Sequence, residues 1–440
     1  MQVIAKAQQA EGAVGQAGAS RGIGREGPSL FDGVDLHALA AQVSTPCHAY
    51  SANAIRERIA GLQSAFQGLD HRICYAVKAN SNVAILQLMA HHGVGADIVS
   101  LGELNRALLA GIPAEHIVFS GVGKTTEEIA SALAVGVWRF NVESLDELQL
   151  LQEVAQRHGV CARAAARINP DVDARTHEKI STGKSENKFG VSIDEARRWF
   201  ANAGSMSNVL LDGLHAHIGS QILELEPFRE ALTRVEAFRR ELVDAGHPIA
   251  SVDIGGGLGV CYRKGVDHPI PAAEYAGLVR VVFAEFQGTL VLEPGRYLVA
   301  EAGILLTRVI RVKPGVDRSF LVVDAAMNDL LRPSLYEAWH EIVPLVGGDR
   351  EPARYDVVGP VCETGDTFAR GRAMARCEAG DLLSIGSTGA YGASMASTYN
   401  SRPLAAEVLL DDGRYAVIRR RQTMAEMIAG EQLPQVWNET

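Results

Sequence analysis

The chain has 440 residues, is 47% hydrophobic and carries a formal charge of −10, which is enough for a barrel-sized domain plus a second one. Its acidic balance, with a pI near 5.8, argues against a nucleic-acid or membrane-surface partner, because both need a positive field. No run of eighteen apolar residues is present to span a bilayer, so a small-molecule partner is expected.

The six cysteines, Cys47, Cys74, Cys161, Cys261, Cys362 and Cys377, show no CxxC or CxxH spacing. Neither a metal site nor a disulfide framework is suggested, and a reducing cytoplasm fits.

Residues 1–28 are rich in Gly, Ala and Gln and lack the basic start and apolar core of a signal peptide, so a flexible N-terminal extension is expected. "GASRGIG", Gly18 to Gly24, resembles a dinucleotide-binding turn, but the apolar strand that must precede such a turn is missing. Residues 30–51 end on the strand-like "TPCHAYS", which is expected to join a β-rich domain formed mainly by residues 304–440.

From residue 52 to about 303 the pattern alternates between short apolar strands and amphipathic helices. The strands are "RICYAVKA", "GADIVS", "HIVFSG", "WRFNVES", "ARAAARIN", "LDGLHAHIGS", "ASVDIGGG" and "GTLVLEPG", and several helices open on Ser or Thr and close on Gly. Eight such units predict an α/β fold, a (β/α)8 TIM-like barrel with its chemistry at the carboxyl ends of the strands. A doubly wound open sheet is the alternative. Beyond residue 303, "LLTRVIRVK", "SFLVVDAA", "ARYDVVGPVC" and "AAEVLLDDGRYAVIRRR" read as turn-separated strands of a mainly β C-terminal domain.

The polar residues fall at the strand ends. Lys78 closes the first strand, Asp97 lies in the second, His217 follows the sixth, Gly255, Gly256 and Gly257 the seventh, and Glu293, Pro294, Gly295 and Arg296 the eighth. A lysine at an apolar mouth is desolvated, which favours the neutral amine needed for a Schiff base; the plainer alternative is a lysine that reaches out to solvent. The glycine turn admits an anion to close backbone approach, and Arg296 suits a phosphate, although tight strand exits and surface ion pairs use the same residues. A carboxylate such as Glu293 keeps a pyridine nitrogen protonated, so the set supplies the parts of a pyridoxal 5'-phosphate (PLP) site. His217 could stack on the ring, and Ser220 offers a hydroxyl to phosphate.

"YAVKAN", "HAHIGSQ", "DIGGGLG", "EPGR", "GPVCETGD" and "GAYGASMASTYNSRP" resemble, in order and spacing, the PLP-dependent decarboxylases with an alanine-racemase-like barrel. Residues 167–191, "RINPDVDARTHEKISTGKSENKFGV", are similar to the diaminopimelate branch of that family. The resemblance covers about residues 30–430. It implies decarboxylation of meso-2,6-diaminopimelate to L-lysine and carbon dioxide by a cytoplasmic homodimer with shared active sites.

The resemblance also implies roles. Lys78 would hold PLP covalently, Asp97 would lie in the cofactor site, His217 would stack on the ring, and Glu293 would meet the ring nitrogen. Ser220, Gly255, Gly256, Gly257 and the Glu293–Arg296 turn would surround the cofactor. Cys362 would be the proton donor and Glu363 a substrate-binding acid from the partner chain. Arg296, besides its place in the cofactor site, would bind substrate, and Arg332, Tyr336 and Tyr391 would hold substrate or cofactor. From the residues alone, Cys362 reads as a buried thiol. Ala393 and Thr398 stand where the family often carries methionine and asparagine. Decarboxylation of ornithine, lysine or arginine, racemization, or a non-catalytic PLP-binding regulator are the alternatives.

Overall fold

The computed structural model describes residues 29–174, 176, 188–316, 318–346 and 350–434. The N-terminal stretch containing "GASRGIG" and residues 175 and 177–187 of the family-like 167–191 run lie outside the described residues.

Eight parallel strands close into a barrel: His71–Ala76, Gly95–Ile98, Ile117–Phe119, Arg139–Val142, Ala162–Arg167, Val209–His215, Ser251–Asp253 and Thr289–Leu292. The closing pair joins the eighth strand to the first, with Leu292 opposite Ile73. Closure excludes the open doubly wound sheet.

The helices between strands begin where the sequence supplies a side-chain acceptor for an orphan amide. Ser100, Ser144 and Ser192 accept from the third helical amide, and Thr125 forms a reciprocal capping box with Glu128. Gly136 and Gly159 end two helices in the left-handed conformation, which costs a glycine little.

The second domain is a nine-stranded sheet. Cys47–Ser51 pairs antiparallel with Gly303–Lys313 and parallel with Ala406–Asp411. An early segment of the chain therefore lies inside a sheet built mostly from its end. Phe31, Leu36, Leu39, Leu306 and Val408 pack as one core beside this sheet, and Leu305, Leu321, Val357 and Ile385 form another.

The seam between the domains positions the site. Tyr391 N–H donates to Ala79 O at 2.7 Å, and Asn80 Nδ2 donates to Gly389 O at 3.1 Å. Asn82 Nδ2 donates to Glu407 Oε1 at 3.0 Å, and Glu407 also pairs with Arg419 at 3.0 Å. The first two bonds tie the turn carrying Lys78 to the loop carrying Tyr391, and the third anchors the segment after that turn to the strand Ala406–Asp411.

Candidate active site

The carboxyl ends of the barrel strands open into a cavity of about 460 Å³. Lys78, His217, Ser220 and Arg296 line its barrel side, and Arg332, Tyr336, Trp339 and Tyr391 line the side formed by the β domain. A recess of about 40 Å³ adjoins it between Lys78, Gly257, Glu293 and Arg296.

Lys78 sits in the short turn Val77–Ala79 that ends the first strand, and its Nζ donates to Asp97 Oδ2 at 2.8 Å. The lysine side chain is 43% exposed, so the amine is reachable from the cavity, while Asp97 is fully buried. Burial pushes the amine towards neutrality, but the charges of Asp97, Tyr391 and Glu293 outweigh it and raise its pKa above the ordinary lysine value. This corrects the expectation of a depressed lysine. Strand register places Asp97 opposite Ala76, two residues from Lys78, a proximity the linear sequence hides. Burial and the Glu293 charge push Asp97 up, against the pull of Lys78.

Glu293 is held from several strand ends. Its Oε2 lies 3.2 Å from His215 Nε2, and its Oε1 accepts from Asn141 Nδ2 at 3.2 Å and Ser120 Oγ at 3.3 Å. Burial alone would raise this carboxyl, but His215, with Lys78 and His217, holds it well below the usual carboxylate range. Asp253 goes the other way, because burial and the neighbouring Glu293 charge push it far up. Negative charge is therefore concentrated on Glu293.

Gly256 N–H donates to His217 Nδ1 at 3.2 Å, which leaves the other ring nitrogen to carry the proton of the neutral imidazole. Burial, then Arg167, lowers the His217 pKa to about 3. Gly256 must be glycine, since a Cβ there would lie 2.2 Å from Glu293 O. Gly257 has φ +108° and would press a Cβ to 2.7 Å from Gly219 O. Gly255 N–H is held by Asp253 Oδ1 at 2.9 Å. Pro294 and Gly295 are buried in the turn before Arg296, and Pro294 O accepts from Ala76 N–H at 3.2 Å.

Two buried guanidiniums face this set. Arg296, 6% exposed, donates to Tyr262 OH at 2.6 Å and to Ser220 Oγ at 3.2 and 3.1 Å. Arg332, also 6% exposed, lies 4.5 Å over the Tyr262 ring. Among the described residues neither pairs with a carboxylate. A buried, uncompensated cation costs several kcal/mol, so the cavity is built to receive anions.

Cys362 and Glu363 do not join the cavity of their own chain. Both are exposed on the loop before the strand Thr367–Ala375, and Glu363 Oε2 accepts from Tyr399 OH at 2.8 Å. The exposed Cys362 corrects its reading as a buried thiol. Tyr262, Trp339, His215, Asn141 and Ser120 were missed from the sequence. Three of these, Ser120, Asn141 and His215, sit in or just after barrel strands, a position that could have flagged them.

Residues 52–300 match the model of the pyridoxal-dependent decarboxylase family, pyridoxal binding domain. The chain is 45% identical over 411 residues to the diaminopimelate decarboxylase of Zymomonas mobilis, covering 93% of this chain and 97% of the relative. It is 47% identical over 409 residues to that of Pseudomonas aeruginosa, covering 93% and 98%. The chain belongs to the diaminopimelate decarboxylase family of PLP-dependent enzymes.

The solved diaminopimelate decarboxylase from Helicobacter pylori, complexed with L-lysine, superposes with a TM-score of 0.87 at 43% identity, covering 90% of this chain and 98% of that one. The family's cofactor fits the residues present. Arg296 is a buried cation whose side-chain hydrogen bonds among the described residues go to hydroxyls, the glycine turn leaves room beside it, an ionised Glu293 lies across the recess, and a reachable amine lies at Lys78.

Proposed function

We propose that this protein decarboxylates meso-2,6-diaminopimelate to L-lysine, and that the residues named above carry the reaction. PLP, when bound, supplies an electron sink for the pair left behind as carbon dioxide departs. Lys78 would hold it covalently and Glu293 would keep a proton at the ring nitrogen. Ser220, Gly257 and Arg296 would grip the phosphate, and the neutral His217 would cover one ring face.

The remaining residues select and finish. Arg332 forks onto the carboxylate at the substrate's distal carbon, where Glu363 takes the ammonium. The bond from the reacting carbon to its carboxylate breaks, carbon dioxide leaves, and the Cys362 thiol returns one proton to that carbon. One proton is consumed per turnover. The observation that carries this reading is Arg332, a buried guanidinium lining the cavity without a described carboxylate partner. A substrate whose distal end lacks a carboxylate, such as ornithine, would leave it uncompensated.

Cys362 and Glu363 lie outside their own chain's cavity, which supports a two-fold homodimer in which each chain completes its partner's site. Six free cysteines support a reducing cytoplasm. No helix among the described residues is long and apolar enough to cross a membrane.

The test is direct. With PLP added, lysine and carbon dioxide should form one for one from meso-diaminopimelate, ornithine should be a poor substrate, and Lys78→Ala should lower turnover by more than about a thousandfold. Faster release from ornithine, or full turnover in Lys78→Ala, would overturn the assignment.

A further inference from the structure

Arg332 is oriented by a residue that does not line the cavity. Its Nη1 lies 3.0 Å from His340 Nε2, and His340 Nδ1 lies 2.8 Å from Gly386 O. A guanidinium only donates and a carbonyl only accepts. Both partners therefore specify one tautomer: Nδ1 carries the proton and donates to Gly386 O, while the Nε2 lone pair receives Arg332.

His340 is fully buried. Burial, then the adjacent Arg332 charge, lowers its pKa to about 3, so the ring stays neutral at any ordinary working pH. Its ring also stands nearly perpendicular to the Tyr262 ring, with centroids 5.3 Å apart, and Tyr262 presents its face to Arg332 at 4.5 Å. One arm of the guanidinium is thus fixed, and its Nε remains buried without a partner among the described residues.

The choice of acceptor is informative. Aspartate or glutamate at this position would cancel the charge of Arg332 and compete with an incoming carboxylate. A neutral imidazole orients the fork and leaves its charge available. We propose that His340 is a positioning residue for substrate selection, holding one arm of Arg332 so that its remaining donors meet the distal carboxylate. This rests on the reading of Arg332 as the partner of that carboxylate.

Two substitutions separate the two bonds of the imidazole. Glutamine places its side-chain oxygen near the position of Nε2 and can still accept from Arg332. The shorter asparagine places its amide near Nδ1, so it keeps the Gly386 contact and loses Arg332. The probes are L-lysine, which retains the distal carboxylate, and cadaverine, the same skeleton without it.

His340→Asn should raise the inhibition constant of L-lysine and the KM of meso-diaminopimelate by about tenfold, the loss of one charge-assisted hydrogen bond. The kcat, the affinity for cadaverine and the absorbance of bound PLP should stay within about threefold or unchanged. His340→Gln should recover most of the loss, and adding His340→Asn to Arg332→Ala should cost nothing further.

If Arg332→Ala binds L-lysine normally, the distal-carboxylate reading fails and takes this inference with it. If Arg332→Ala loses L-lysine but His340→Asn does not, only the positioning role fails. Equal damage by asparagine and glutamine, equal loss of cadaverine, or failure of both variants to fold would make His340 a packing residue and overturn the proposal.

Discussion

The barrel and the β domain contribute to the cavity in opposite ways. On the barrel side, charges face one another: Lys78 meets Asp97 at 2.8 Å, and Glu293 meets His215, Asn141 and Ser120. On the β-domain side, Arg332 meets a neutral imidazole and an aromatic face, and among the described residues no carboxylate. The first arrangement suits a resident group whose charges never change partners. The second leaves a cation that is satisfied only while an anion is bound, as is also true of Arg296 on the barrel side. On the reading proposed above, the groups that would hold the cofactor lie on the barrel, and Arg332 and Cys362 lie on the domain packed against it.

The largest effect should come from splitting the site between chains. If Cys362 reaches the partner's Lys78, homodimers of Lys78→Ala and of Cys362→Ala should both be nearly inactive. An equal mixture, dissociated and re-associated, makes about half of its dimers mixed, each with one intact site, so activity should return to about a quarter of wild type. No recovery, with subunit exchange verified by mass spectrometry, would put both residues in one chain's site and make the β domain a wall of its own cavity alone.

A smaller effect tests the second domain itself. His48 is fully buried in the strand Cys47–Ser51, and burial, against the pull of Glu407, lowers its pKa to about 4 from 6.5. Because the unfolded chain binds this proton and the folded one does not, the residue's contribution to stability is complete above pH 6.5. It is lost progressively as the pH falls to about 4. His48→Gln cannot take the proton, so relative to wild type it should gain up to roughly 3 kcal/mol across that window, read by denaturant unfolding at each pH. Parallel pH profiles would show that His48 is hydrated rather than sealed in the sheet.

The fold was largely legible, for physical reasons that can be named. Apolar runs ending in polar residues marked the barrel strands, and Ser, Thr and Gly at helix ends marked the turns between them. Lys78 stood out because a buried strand rarely ends in a charge. Its ionic state was not legible, since that depends on Asp97 in the neighbouring strand, nineteen positions away. Arg332 sits in a short helix of five residues without a periodic pattern and was singled out only through a family resemblance. Tyr262 and His340 follow glycine-rich and aromatic stretches that read as loop and core. Tyr262 meets Arg296 within the barrel and His340 meets Arg332 within the β domain, but Tyr262 reaches Arg332 and His340 only where the two domains pack together.

The division of labour between the two arginines is the central claim, and one paired titration tests it. Arg296→Ala and Arg332→Ala would each be titrated with PLP, followed by absorbance, and then with L-lysine under saturating PLP. Arg296→Ala should weaken PLP by about ten- to a hundredfold, the worth of a buried charged hydrogen-bond pair at roughly 1.5 to 3 kcal/mol. Arg332→Ala should bind PLP as wild type does and weaken L-lysine by a similar factor. Loss of PLP in both variants, or normal L-lysine binding in Arg332→Ala, would contradict it.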